Sequence, residues 1–157
     1  MIRVLFVCLG NICRSPMAEA VFQDMVEQQG LAHAITSDSA GTGGWHSGEQ
    51  AHPGTLKVLE MHGIHYTGRA RQLQRADLDE FDYVLAMDDS NYQDIQRMGV
   101  NASAEIRHFL HYSNTAGTVK ESIVPDPYYD GRFNEVFHLV VKGNEALLDH
   151  IRKENDL

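Results

Sequence analysis

The 157-residue sequence predicts an α/β fold: one domain over residues 1–157 with a central four-stranded, parallel, twisted sheet and helices on both faces. Three observations carry this expectation. Short apolar runs alternate with helix-period segments, the first strand passes through a tight turn straight into a helix, and no internal repeat, low-complexity stretch or composition break divides the chain. Strands separated by helices pair in parallel, and right-handed crossovers then place helices on both faces of the sheet.

The elements follow in order. Ile2–Val7 is an apolar run with one charge, as in a strand buried on both faces. Pro16 to about Gln29 reads as a helix, with Met17, Ala20, Val21 and Met25 on one stripe and Gly30 as its stop. Ala34–Ser39 is a weaker strand, and the glycine-rich loop 41–45 after it lacks the spacing of a dinucleotide fingerprint. Pro53 opens a helix that carries Leu56, Leu59 and Glu60 toward Gly63. Tyr83–Met87 is a fully apolar strand, and Asp88 or Asp89 is placed to cap a helix running to about Met98. Glu105–Leu110 supplies the fourth strand. The segment 111–131 shows no periodicity. Arg132–Lys153 closes the chain as a helix, with Phe133, Val136, Phe137, Val140, Leu147, Leu148 and Ile151 at helical spacing.

The turn after the first strand, Cys8-Leu9-Gly10-Asn11-Ile12-Cys13-Arg14-Ser15-Pro16, concentrates the chemistry. A helix start offers unpaired N–H groups and the positive end of a dipole, which stabilise a thiolate and bind an anion such as phosphate. Gly10 permits unusual backbone conformations, so successive turn N–H groups can converge into an anion nest. Asn11 is a residue type that tolerates left-handed geometry. Arg14 adds a planar fork of donors matched to two phosphate oxygens, and Ser15 is placed as the N-cap before Pro16, its hydroxyl within reach of the sulfur. A lone cysteine after an apolar strand is ordinarily a small buried hydrophobe, but the glycine, the arginine and the Ser-Pro helix start favour a nucleophile at Cys8. In parallel sheets ligands bind beyond the carboxyl ends of the strands, which is where this turn lies. For Cys13, buried filler competes with a redox role in which it closes a reversible disulfide with Cys8. A second feature lies in 111–131: prolines on both sides of Asp126 pin the backbone and present its carboxyl from a rigid loop as a proton donor, whereas Asp130 reads as a plain turn residue.

Composition bounds the partners. A formal net charge of −9 argues against a nucleic-acid surface. Arg69, Arg71 and Arg75 form the one basic cluster and read as a solvated face. The sequence shows no signal peptide and no apolar run of membrane-spanning length, so no membrane insertion is expected. Two cysteines outside any secreted disulfide framework point to a reducing cytoplasm. They also lack the spaced partners a zinc site needs, and no metal or cofactor is expected.

Cys8 to Ser15, Asp38-Ser39-Ala40, His62-Gly63-Ile64, Phe81-Asp82-Tyr83 with Met87-Asp88, and Asp126-Pro127-Tyr128-Tyr129 closely resemble the low-molecular-weight protein tyrosine phosphatases over essentially the whole chain. The resemblance implies Cys8 as nucleophile, Arg14 as phosphate clamp and Asp126 as general acid and then base. It further implies a phosphate loop of Leu9, Gly10, Asn11, Ile12, Cys13, Arg14 and Ser15, shaped by hydrogen bonds from Asn11, Ser15, Ser39 and His62. Trp45, Tyr128 and Tyr129 resemble the aromatic walls that grip a phenyl ring. The implied partners are tyrosine-phosphorylated proteins, small aryl phosphates, inorganic phosphate and phosphate analogues. Three alternatives stand beside it. Arsenate reductases resemble this family in the first loop but need further cysteines, and none follows Cys13; arginine phosphatases usually carry threonine where Ile12 stands and lack the paired tyrosines; a phosphotyrosine-binding module would not turn over.

Overall fold

A computed structural model describes all 157 residues. Four strands, β1 (Ile2–Cys8), β2 (Ile35–Gly41), β3 (Tyr83–Ala86) and β4 (Glu105–His108), form one sheet in the order β2-β1-β3-β4. Every neighbouring pair is parallel, with Cys8 opposite Gly41 and Val7 opposite both Ala40 and Ala86. The chain moves first to one side of β1 and then to the other, so β1 is central and its carboxyl end lies at the point where the winding reverses. That is the position at which open α/β sheets bind ligands.

Seven helices cover the sheet: α1 (Arg14–Gln28), α2 (Pro53–Met61), α3 (Asp77–Glu80), α4 (Asp89–Met98), α5 (His111–Thr115), α6 (Pro127–Asp130) and α7 (Phe133–Glu154). Side chains alternate along β1, so Val4, Phe6 and Cys8 enter a large core with α1, α2 and α7, while Leu5 and Val7 enter a smaller one with Leu78 and Ile95 of α3 and α4. Both faces of β1 are therefore buried, which explains its unbroken apolar run. Phe6 is the hub of the larger core, meeting the Phe22 and Phe109 rings edge to face at 5.5 and 5.7 Å.

Several boundaries differ from the sequence expectation. Helix α1 begins two residues early: Cys13 occupies the N-cap position without a capping side chain, and Ser15 lies inside the first turn. Ser15 is thus not the N-cap, and Pro16 falls at the third helical position, where its missing N–H still costs nothing because first-turn donors have no intrahelical partner. Strand β4 stops at His108, since Phe109 and Leu110 turn inward to be buried under α7. The short helices α3, α5 and α6 escaped the periodicity reading because four or five residues make barely one turn. Gly30 and Gly63 end their helices with φ of 70° and 74°, as expected of stop glycines. Arg71 is not simply solvated: it pairs with Asp38 and Asp77 at 3.0 Å each and ties the 69–75 segment to β2 and α3.

Candidate active site

The carboxyl end of β1 delivers Cys8, and residues 9–13 curl directly into α1. None of the backbone N–H groups from Leu9 to Ser15 has an acceptor in the protein. The loop carbonyls, in contrast, are drawn outward: Cys8 O accepts from Thr42 N, Leu9 O from Gly43 N, Ile12 O from His52 N, and Cys13 O from the Thr55 hydroxyl. With the carbonyls drawn toward the flanking loop and α2, the N–H groups of the loop that follows Cys8 are left unpartnered and available to an anion, as in a backbone nest.

Asn11 makes the curl possible. It sits at φ 57°, its Oδ1 accepts from Arg71 N at 2.9 Å, and its Nδ2 donates to Ser15 Oγ at 2.8 Å. With that acceptor role filled by Asn11, the Ser15 hydroxyl proton is free for Cys8 Sγ, 3.0 Å away. Gly10 does not take up a left-handed conformation; a Cβ there would lie 3.0 Å from His46 Cδ2, a close contact that the His46 side chain would have to accommodate. The tighter case is Gly41, where a Cβ would stand 2.7 Å from Leu9 O.

Arg14 is 3% exposed. Its Nη1 donates to Asp88 Oδ2 at 2.7 Å and to Val124 O at 3.1 Å, while Nε has no partner and Nη2 lies 3.6 Å from Asp126 Oδ2. One edge of the guanidinium is thus anchored, and the Nε/Nη2 edge is left as a two-donor fork. Although burial opposes the charge, Cys8, Asp88 and Asp126 together hold Arg14 protonated, raising its pKa. Cys13 is held in its neutral form instead: burial, reinforced by Cys8 and Asp126, pushes its thiol up to about 12. Cys8 and Cys13 are both free and buried.

Asp126 arrives on the loop between α5 and α6, which is tied to the end of β3 by the bond that Val124 N donates to Met87 O at 2.8 Å. Its Oδ1 caps α6 by accepting from Tyr128 N at 3.0 Å, which leaves Oδ2 facing Arg14. Leu9, Ile12, Trp45, His46, Tyr128 and Tyr129 complete a cavity over Cys8 and Arg14. Trp45 and Tyr129 are 66% and 83% exposed, so the aromatic rim faces solvent on one side and the cavity on the other. No group of three His, Cys, Asp or Glu side chains is disposed to hold a metal ion.

The family model for low molecular weight phosphotyrosine protein phosphatase matches residues 3–157. The chain belongs to that family. It is 48% identical to the low molecular weight protein-tyrosine-phosphatase YfkJ of Bacillus subtilis, with all of both proteins covered, and 42% identical to PtpA of Staphylococcus aureus strain Newman, covering all of this chain and 98% of PtpA. The YfkJ crystal structure superposes with a TM-score of 0.93, covering 98% of this chain and 96% of YfkJ at 49% identity. DARP, a Drosophila arginine phosphatase, is more distant at 31% identity, with a TM-score of 0.87 over 95% of this chain and 97% of its own. Family membership makes the chain a hydrolase of the protein-tyrosine phosphatase class.

Within this phosphatase the structure gathers Cys8, the 9–15 loop, Arg14, Asp126, Trp45, Tyr128 and Tyr129 around one cavity. It does not bring Ser39 or His62 into hydrogen bonds with the loop. The Ser39 hydroxyl donates to Glu19 Oε1 at 2.6 Å, and His62 bonds Val58 O and stacks on Phe137 at 4.0 Å. Both are held by closer partners on α1, α2 and α7, so the expected network narrows to Asn11 and Ser15, with Arg71 N and Thr55 completing it. Asp88 and His52 were missed as site residues. Asp88 follows β3 at the same carboxyl edge, and that position in a parallel sheet was the available signal.

Proposed function

We propose that this phosphatase hydrolyses phosphotyrosine monoesters in two steps through a phosphocysteine at Cys8. The observation that carries the reading is that one cavity is lined by Cys8, by a following loop whose N–H groups from residue 9 to 15 have no acceptor, and by Arg14 with its Nε unpartnered. The Cys8 thiolate attacks phosphorus in line, forming the S–P bond as the P–O bond to the phenol breaks. The N–H groups and Arg14 hold the equatorial oxygens and stabilise the charge that spreads onto them. Asp126, protonated at Oδ2, gives its proton to the departing phenol oxygen. The resulting carboxylate then takes a proton from water, which displaces sulfur and releases inorganic phosphate.

Substrate class follows from the walls. Leu9, Ile12, Trp45, Tyr128 and Tyr129 offer apolar and aromatic surface beside the phosphate cradle, which suits a phenyl ring and hence phosphotyrosine in proteins or small aryl phosphates. The similarity to DARP favours phosphoarginine as a second reading. Comparing phosphotyrosine and phosphoarginine peptides separates the two, and the aromatic walls call for the first to be turned over far faster. Free Cys8 and Cys13 suit a reducing compartment, the cytoplasm. No helix is long and apolar enough to cross a membrane.

Cys8→Ser tests the mechanism. It is expected to abolish turnover of phenyl phosphate while retaining binding of a phosphate analogue; residual turnover at a tenth or more of the wild-type rate would reject a covalent step at this sulfur.

A further inference from the structure

His52 does more than its place at the start of α2 requires. Its backbone N–H donates to Ile12 O at 2.7 Å, so it is bonded to the phosphate loop. Its Nδ1 accepts from Gly54 N at 2.9 Å and caps α2, which fixes Nδ1 as the unprotonated nitrogen and sets the ring in one orientation. One face of that ring stacks on Phe133 at 5.0 Å with an interplanar angle of 24°. Its edge meets Tyr128 at 5.8 Å and 75°. Phe133 is seated in turn on Gly54, where a Cβ would come within 2.5 Å of the ring. Tyr128, finally, is the residue whose N–H is held by Asp126 Oδ1. A continuous series of contacts thus runs from the loop at Ile12, through His52, to Tyr128 and the carboxyl of Asp126.

A cap alone asks only for a short acceptor such as Asn, Asp or Ser. The imidazole is surplus to that role, and its surplus surface is what touches Phe133 and Tyr128. We propose that His52 is a positioning residue whose ring, rather than its cap, sets the spacing between the phosphate loop and Asp126. The inference rests on the phosphatase reading above, because it acts through the proton that Asp126 delivers.

Ring and cap are separable. His52→Asn keeps a neutral capping acceptor and removes the ring; His52→Phe keeps a ring and removes the acceptor. The readout is kcat/KM on phenyl phosphate, whose leaving group needs a proton, against an aryl phosphate of an acidic phenol, whose leaving group does not, together with the melting temperature. For His52→Asn the expected loss is about tenfold on phenyl phosphate and less than about twofold on the acidic-phenol ester, since a misplaced acid matters only where protonation does. For His52→Phe the melting temperature should fall while kcat/KM stays within about threefold on both substrates. Phe133→Leu removes the far side of the stack without touching the cap and should reproduce the leaving-group-dependent loss. Equal losses on the two substrates for His52→Asn and Phe133→Leu, no loss in either, or a leaving-group-dependent loss in His52→Phe as large as that in His52→Asn, would overturn the proposal. Failure of the wild-type protein to hydrolyse either ester would instead reject the phosphatase reading itself.

Discussion

At the residue scale the site depends on how each charged group is restrained. Arg14 is held on one edge by Asp88, whose second oxygen caps α4 by accepting from Asn91 N at 2.9 Å. One carboxylate therefore fixes the arginine to a rigid element, and the guanidinium keeps a pre-set direction. Asp88→Ala leaves Nη1 with Val124 O alone and is expected to lower kcat/KM on aryl phosphates by about tenfold to a hundredfold, with weaker inhibition by inorganic phosphate. Unchanged phosphate inhibition would show that Arg14 needs no such anchor. Cys13 gives a second test. Because burial first and the neighbouring Cys8 second push its thiol up to about 12, it stays protonated and a poor nucleophile at neutral pH. In the Cys8→Ser protein, alkylation by iodoacetamide followed by mass spectrometry should be slow near pH 7 and accelerate only at strongly alkaline pH. Fast modification at neutral pH would contradict the burial argument.

At the element scale, α1 and β2 meet at Glu19. Its Oε1 accepts from both the Ser39 hydroxyl and the Tyr66 hydroxyl, at 2.6 and 2.9 Å. Burial raises its pKa despite those two bonds and the nearby Arg71. A carboxyl whose folded pKa exceeds its unfolded one stabilises the fold by its protonated form. That contribution is complete below the ordinary glutamate value near ~4.3 and is lost as pH rises through the folded value. Glu19→Gln retains an oxygen able to accept both bonds without carrying charge. Relative to wild type, the variant should therefore gain stability as pH rises above the ordinary glutamate value near ~4.3, read as its urea midpoint at each pH; a gap that shrinks as pH rises would reverse the sign. The last residue of β2 supplies another element-level constraint. Gly41→Ala sets a methyl against Leu9 O and Asn11 N, at 2.7 and 3.1 Å, and cannot relax without moving the phosphate loop. Phenyl phosphate turnover is expected to fall by tenfold or more.

At the scale of the whole molecule, the sheet is a wall between two unequal cores, and the larger one carries the long terminal helix. Phe6, fully buried between Phe22 and Phe109, is its centre. Phe6→Ala should cost about 3–5 kcal/mol in a denaturant titration. Gly143 lets α7 pack tightly on this core, since a Cβ there would sit 2.5 Å from the Phe109 ring.

Much of this was legible in residue order, because strand and helix periods, stop glycines and the run from Cys8 to Pro16 depend on local geometry. The N-cap at Ser15 was misread because a Ser-Pro pair looks the same whether the hydroxyl turns to the helix or to a sulfur, and only the Cys8–Asn11 surroundings decide. Ser39 and His62 were drawn toward the loop by resemblance, while Glu19 and Phe137, remote in sequence, hold them elsewhere.

By itself, the sequence determined an α/β chain with a thiol on a phosphate-type turn and a proline-clamped carboxyl, since both are written in contiguous residues. Tertiary structure alone decided that Asp88 anchors Arg14, that Asp126 crosses to the same cavity, and that His52 joins the two sides. These are pairings between segments far apart in the chain, and a hydrogen bond or a ring contact depends on distance in space, which residue order does not record.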